Sequence, residues 1–119
     1  MPRKNIHDLV QRWEGNPILT MDDLPFRSLG LHNAGAVKVG DTIILLLRVE
    51  DMRGRSFFAL AHSDNGFQFT VEDEPLMVAA GKGSFAAYES LGIEDARITP
   101  VNGSYYITYT AHSPSGSRP

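Results

Sequence analysis

No cysteine occurs anywhere in the 119 residues. That excludes a disulfide scaffold, a thiolate metal site and a cysteine nucleophile. An excess of charge of one sign is also lacking: 11 Lys and Arg are interspersed with 14 Asp and Glu, for a formal net charge of −3. Nucleic acid and anionic membranes demand a concentrated basic patch, and none is present. The longest mostly apolar run, Thr42 to Leu47, is far too short to span a bilayer. The opening "MPRKNIHDLVQRWEG" holds no apolar stretch of signal-peptide length. A Gly-rich phosphate loop and a nucleophile elbow are missing. His7, His32, His62 and His112 lack metal-ligand spacing. These absences lead to the expectation of a soluble cytoplasmic protein without a metal.

What is present is a globular composition, 42% hydrophobic and 21% charged, in a chain long enough for one domain with a core. Strand patterns dominate from Ala34 onward. "GAVKVGDTIILLLRV" reads as two strands around Gly40-Asp41, and "SFFALAHSDNGFQFTV" as two more around Asp64-Asn65-Gly66. "ARITPVNGSYYITYTA" turns at Asn102-Gly103, a dipeptide suited to a two-residue hairpin because both residues tolerate positive φ. Ahead of these, a short helix is expected over Ile6 to Trp13 and a lone strand in "GNPILT".

A shift of 62 positions lays the first hairpin on the third. Val39 falls on Val101, Thr42 on Ser104, Ile43 and Ile44 on Tyr105 and Tyr106, Leu45 on Ile107, and Gly54 on Gly116. The same shift lays Asn33 on Asp95. A unit of two successive hairpins is the blade of a β-propeller. Blade one then runs from Ala34 to about Val71, blade two begins near Asp95, and "SPSGSRP" is expected to be a loop left as a tail. The alternative is a small β-sandwich or barrel with a flexible end.

The repeat singles out residues that would otherwise pass as turn chemistry. In a propeller the first strand of each blade lies nearest the axis, so Asn33 and Asp95 would face one funnel. Arg48 ends an almost wholly apolar strand, where a guanidinium is costly to bury without partners. It either snorkels to water or clamps a ligand. Period-2 alternation points Arg97 the same way as Asp95, to hold that acid or stabilise its charge. "RVEDMRGRS", Arg48 to Ser56, is either a solvated loop or a funnel rim. Trp13, Tyr105, Tyr106 and Tyr109 can stack on sugar rings or fill a core. "SDNG" and "EDE" (Glu72 to Glu74) read as turn and solvated-face chemistry.

"RWEGNPILT", "NAGAVKVGDTIILLLRVED", "RGRSFFALAHSDNGFQF" and "GIEDARITPVNGSYYITYTAHSPSG" resemble the N-terminal region of glycoside hydrolase family 130, in order and nearly throughout from Arg12 on. The wording is nearest the β-1,4-mannooligosaccharide phosphorylase branch. The resemblance implies an all-β fold, a partial five-bladed β-propeller of about one and a half blades of four-stranded antiparallel sheet. Residues 1–33 would form a lead-in, 34–91 the first blade and its connection, and 92–119 the start of a second blade in the N-terminal part of a larger catalytic domain. It implies Asp95 as general acid, with Glu94 and Arg97 beside it; Ala96 stands where the family motif usually has proline. Asn33 and Arg48 match residues that contact the bound mannosyl unit, and Arg53, Gly54 and Ser56 match a loop near the acceptor sugar.

The implied activity is inverting phosphorolysis of β-mannosides, β-1,4-mannooligosaccharide or mannosylglucose, with inorganic phosphate as co-substrate and no cofactor. An inverting hydrolase needs an acid and a base about 6.5–9.5 Å apart to admit water. A phosphorylase needs only the acid, because phosphate is already a competent nucleophile. A general acid must be protonated when substrate is bound, which a sugar-filled, desolvated funnel favours. Most family residues that hold phosphate would lie beyond Pro119. The alternatives are a β-mannoside hydrolase of the same family, a non-catalytic carbohydrate-binding domain, or an inactive truncated one. Exposed strand edges and family habit also give the chain reason to form homo-oligomers.

Overall fold

The computed structural model describes residues 9–119. Seven strands build it: β1 (Gly30–Val39), β2 (Thr42–Glu50), β3 (Ser56–Ser63), β4 (Thr70–Val71), β5 (Gly92–Val101), β6 (Ser104–Ser113) and β7 (Gly116–Arg118). A 3-10 turn, Met21–Asp23, precedes them, and a single helical turn, α1 (Ala86–Glu89), joins β4 to β5. The order across the sheet is β1-β2-β3-β5-β6-β7, with β4 also on β3. Two antiparallel units result, β1 to β4 and β5 to β7. Their sheet connection is one parallel pair, Ser56 with Gly92. Among the described residues no helix is long and apolar enough to cross a membrane.

Turn chemistry sets the register. Gly40 lies at φ 60°, and Asn102 and Gly103 lie at φ 49° and 81°. Two consecutive positive φ values are what the tightest hairpin turn requires, so Val101 pairs with Ser104 across it. β2 is apolar without alternation because both its faces are covered. Leu46 enters a cluster with Phe58, Ile93 and Ala96, which lies between the two units. Leu47 and Val49 enter a second cluster with Ala59 and Ala61, roofed by Leu19, Leu24 and Phe26 from the N-terminal segment. The alternation that sends Leu46 toward the second unit sends Arg48 the same way.

Each unit's first strand carries a bulge near its start. Register slips between Leu31 and Ala34 in β1 and between Glu94 and Arg97 in β5. The extra residue lets Leu31 and Ala34, three apart, pack on one face. Ile93 and Ala96 do the same in the second unit. These pairs are related by the shift that relates Asn33 to Asp95, so the repeat seen in the sequence is a repeat of structure.

Four local expectations need correction. The helix expected over Ile6 to Trp13 falls partly outside the described residues, and Val10 to Trp13 carry no helix. Leu9 and Val10 are 73% and 79% exposed, so the apolar pattern there meets no core. "GNPILT" forms no strand; Pro17 has no N–H to offer a ladder, and Leu19 packs as a roof instead. The ending is not a loose tail: Ala111, His112 and Ser113 pair with Arg118, Ser117 and Gly116. The second unit therefore has three strands. The fourth expected hairpin strand, by contrast, shrinks to two residues in β4, after a loop that Asn65 and Ser63 fill with side-chain hydrogen bonds.

Candidate active site

β1 and β5 lie side by side, close enough that a Cβ on Gly35 would stand 2.8 Å from the Ala96 carbonyl oxygen. This approach brings the two bulges together. Asp95 occupies the bulge of β5 at φ 56°, a left-handed conformation that Asp tolerates better than most residues. Asn33 occupies the bulge of β1, and its Nδ2 donates to Asp95 Oδ1 at 3.0 Å. The Asp95 side chain is half exposed, with 50% of its surface accessible.

Arg48 reaches the same point from β2. Its Nη2 pairs with Glu94 Oε2 at 2.8 Å, and its Nη1 stands 3.8 Å from Asp95 Oδ1. Its Nε donates to Ser56 Oγ at 2.9 Å. Ser56 lies diagonally across from Arg48, because Arg48 pairs with Phe58 and Glu50 with Ser56, a separation a long side chain spans. The guanidinium is thus held by three groups, which removes the penalty of placing it at the end of an apolar strand.

Asn33, Arg48, Ser56, Glu94 and Asp95 therefore form one connected cluster across the seam between units. Arg97 and Arg53 do not join it. The bulge breaks the alternation that would have aimed Arg97 beside Asp95, and its Nη1 donates to the Ala96 carbonyl. Arg53 is exposed in a turn that Asp51 organises by accepting from the N–H groups of Arg53 and Arg55. Ala96, in the place of the usual proline, is 2% exposed and packed between the units.

Two further acidic contacts escaped the sequence reading. Glu89 on α1 is 2% exposed. It accepts from the Ala80 N–H at 2.7 Å and from the Tyr109 hydroxyl at 2.5 Å. That bond, then burial, then the nearby charge push the Tyr109 hydroxyl up to about 12. Tyr109 also meets Phe58 edge-on, so it is a core residue. Glu50 pairs with His32 at 3.1 Å, next to Asn33. No local motif marks either carboxylate, because both partners come from other strands. Tyr105 and Tyr106 stay exposed at the tip of the β5–β6 hairpin, and Trp13 packs against Phe67 with ring centroids 4.7 Å apart and planes tilted by 52°.

Known proteins share this sequence pattern and this fold. A glycoside hydrolase family 130 profile, described as β-1,4-mannooligosaccharide phosphorylase, matches residues 2–119. A β-1,2-mannobiose phosphorylase from Listeria innocua is 23% identical, aligning with 90% of this chain and 45% of its own length. Its solved structure, in complex with β-1,2-mannobiose, superimposes with a TM-score of 0.71 at 22% identity, covering 89% of this chain and 45% of that one. A second structure comes from work on GH130 glycoside hydrolases that target β-1,2 mannosidic linkages in Candida mannan. It gives a TM-score of 0.79 at 23% identity, covering 91% of this chain and 35% of that one. A glycosyl hydrolase from Bacteroides ovatus gives 0.68 at 27% identity, over 74% and 26%. The chain thus spans less than half the length of these relatives. Their fold is the five-bladed β-propeller, of which β1 to β4 and β5 to β7 form two successive blade units. By the span of the profile match and the shared fold, this chain belongs to glycoside hydrolase family 130.

Proposed function

We propose that this chain is the N-terminal portion of an inverting glycoside phosphorylase that cleaves β-mannosides with inorganic phosphate. The observation that carries the reading is the Asn33–Asp95–Arg48 constellation. It holds one oxygen of a half-exposed carboxyl in place while the rest of the group stays accessible. Asp95 is the general acid. It gives its proton to the leaving oxygen, directly or through a mannose hydroxyl, as the C1–O bond breaks. Phosphate forms the new C1–O bond from the opposite face, so the product is α-mannose 1-phosphate. Asn33 and Arg48 bind the mannosyl unit as well as orienting the acid, and Glu94 fixes Arg48. Phosphate is the co-substrate and no cofactor takes part. The groups that bind it are supplied outside this span, in a cytoplasmic enzyme.

The Listeria relative is named for β-1,2-mannobiose and the matching family profile for β-1,4-mannooligosaccharides. The linkage is therefore read best by direct assay. The protein carrying this chain is incubated with β-1,4-mannobiose, β-1,2-mannobiose or mannosylglucose, with and without phosphate. Phosphate-dependent α-mannose 1-phosphate supports the proposal. Free mannose at the same rate without phosphate replaces it with hydrolysis, the reading favoured by the hydrolases described within the family. No turnover of any of these substrates overturns both.

A further inference from the structure

Two adjacent carboxylates compete for one guanidinium in this site. Glu94 and Asp95 both face Arg48, at 2.8 Å and 3.8 Å. An arginine next to a carboxylate settles most favourably into a two-bond fork, and the edge carrying Nε and Nη2 is one that makes it. Glu94 already holds Nη2. If Nε were free it would close the fork on Glu94 and rotate the guanidinium about its stem. The Nη1 group would then leave Asp95.

Ser56 prevents this. Its hydroxyl accepts the Nε–H at 2.9 Å, so the edge is split between Ser56 and Glu94, and Nη1 keeps its place toward Asp95. Ser56 is itself enclosed. It is 5% exposed and sits where β3 and β5 pair, opposite Gly92. Gly92 lies at φ 115°, and a Cβ there would come within 2.6 Å of the Ser56 nitrogen. The seam that joins the two units thus also places the hydroxyl that aims the arginine.

We propose that Ser56 is a positioning residue, which orients Arg48 between Glu94 and Asp95 by accepting its Nε–H. The proposal rests on the reading of Arg48 and Asp95 as sugar-site residues. It gives Ser56 an indirect role in place of the sugar contact implied by the family resemblance, since the residue is 5% exposed and its hydroxyl is already engaged by Arg48.

Two measurements test it. In the protein carrying this chain, the Arg48 Nε–H resonance, assigned by its loss in Arg48→Lys, is followed by hydrogen exchange. Ser56→Ala is expected to speed that exchange about tenfold, as loss of a hydrogen bond to a charged group implies, while the β2 and β3 amides keep their protection. Unchanged Nε–H exchange overturns the proposal. In the protein carrying this chain, Ser56→Ala is expected to lower kcat/KM about tenfold, but less than about twofold in an Arg48→Lys background, which has no Nε. Equal loss in both backgrounds shows a packing role and also overturns it. Absence of phosphorolysis in the parent protein defeats the functional reading instead, and the exchange measurement still decides the role of Ser56.

Discussion

Asn33 and Asp95, 62 residues apart in sequence, meet side chain to side chain, Nδ2 to Oδ1 at 3.0 Å. They are equivalent positions of a structural repeat, and each sits in the bulge of its unit's first strand. The bulge turns a residue out of the strand's alternation, and the close approach of β1 and β5 lets the two turned-out side chains touch. A hydrogen bond between repeats is thus what presents the acid.

Replacing Asp95 by Asn tests the acid directly. Asn keeps the shape and tolerates the left-handed backbone at φ 56°. Phosphorolysis by the protein carrying this chain should fall by at least about 100-fold, the usual worth of a general acid, with little change in the unfolding midpoint. Near-normal turnover by the variant would remove Asp95 from the chemistry.

Two glycines with positive φ should respond very differently to alanine. Gly40, at φ 60°, has nothing within 4 Å of an added Cβ. Its replacement should cost about 1 kcal/mol, the strain of the left-handed conformation alone. Gly92→Ala adds a collision with the Ser56 backbone and should cost about 3 kcal/mol or more, seen as a lower urea midpoint. Similar losses at both sites would mean that the seam yields easily.

Alkaline pH should expose the Tyr109–Glu89 bond. The hydroxyl is raised from 10.0 to about 12, first by hydrogen bonding to Glu89, then by burial and by the Glu89 charge. The folded chain therefore holds this proton more tightly than the unfolded one. Its stabilisation is complete below pH 10 and is lost as pH rises toward 12. Urea titrations across that range should show Tyr109→Phe less stable at neutral pH by about 1–2 kcal/mol, with the gap narrowing above pH 10. A gap that stays constant through pH 12 would contradict the linkage.

Core packing between the units should depend heavily on Phe58, which is fully buried. It contacts Leu46 in its own unit and Ile93 and Ala96 in the next. Phe58→Ala should cost about 3–5 kcal/mol and loosen both units together, visible as a single cooperative transition at lower denaturant. Two separate transitions would show that the units fold independently.

Hairpins and repeat were legible in the sequence because their causes are local. Asn102-Gly103 and Gly40-Asp41 specify turns through backbone sterics, and period-2 side chains mark the strands between them. The spacing of Asn33 from Asp95, and the apolar run that strands Arg48 at its end, were visible for the same reason. Tertiary structure alone decided the rest. Arg48 found Glu94 and Ser56, Glu89 found Tyr109, and Arg97 lost its place beside Asp95, because contacts across a seam depend on how strands stack and where a bulge shifts the pleat. "GNPILT" gave a roof through Leu19 alone, and the exposed last residues became a strand by backbone pairing with β6: contacts made elsewhere in the fold outweigh propensity in segments this short. Sequence by itself determined the units and their repeat, since turn and strand preferences act between neighbouring residues. Only the fold determined which of its charged side chains form the site, since that choice is made by partners distant in the chain.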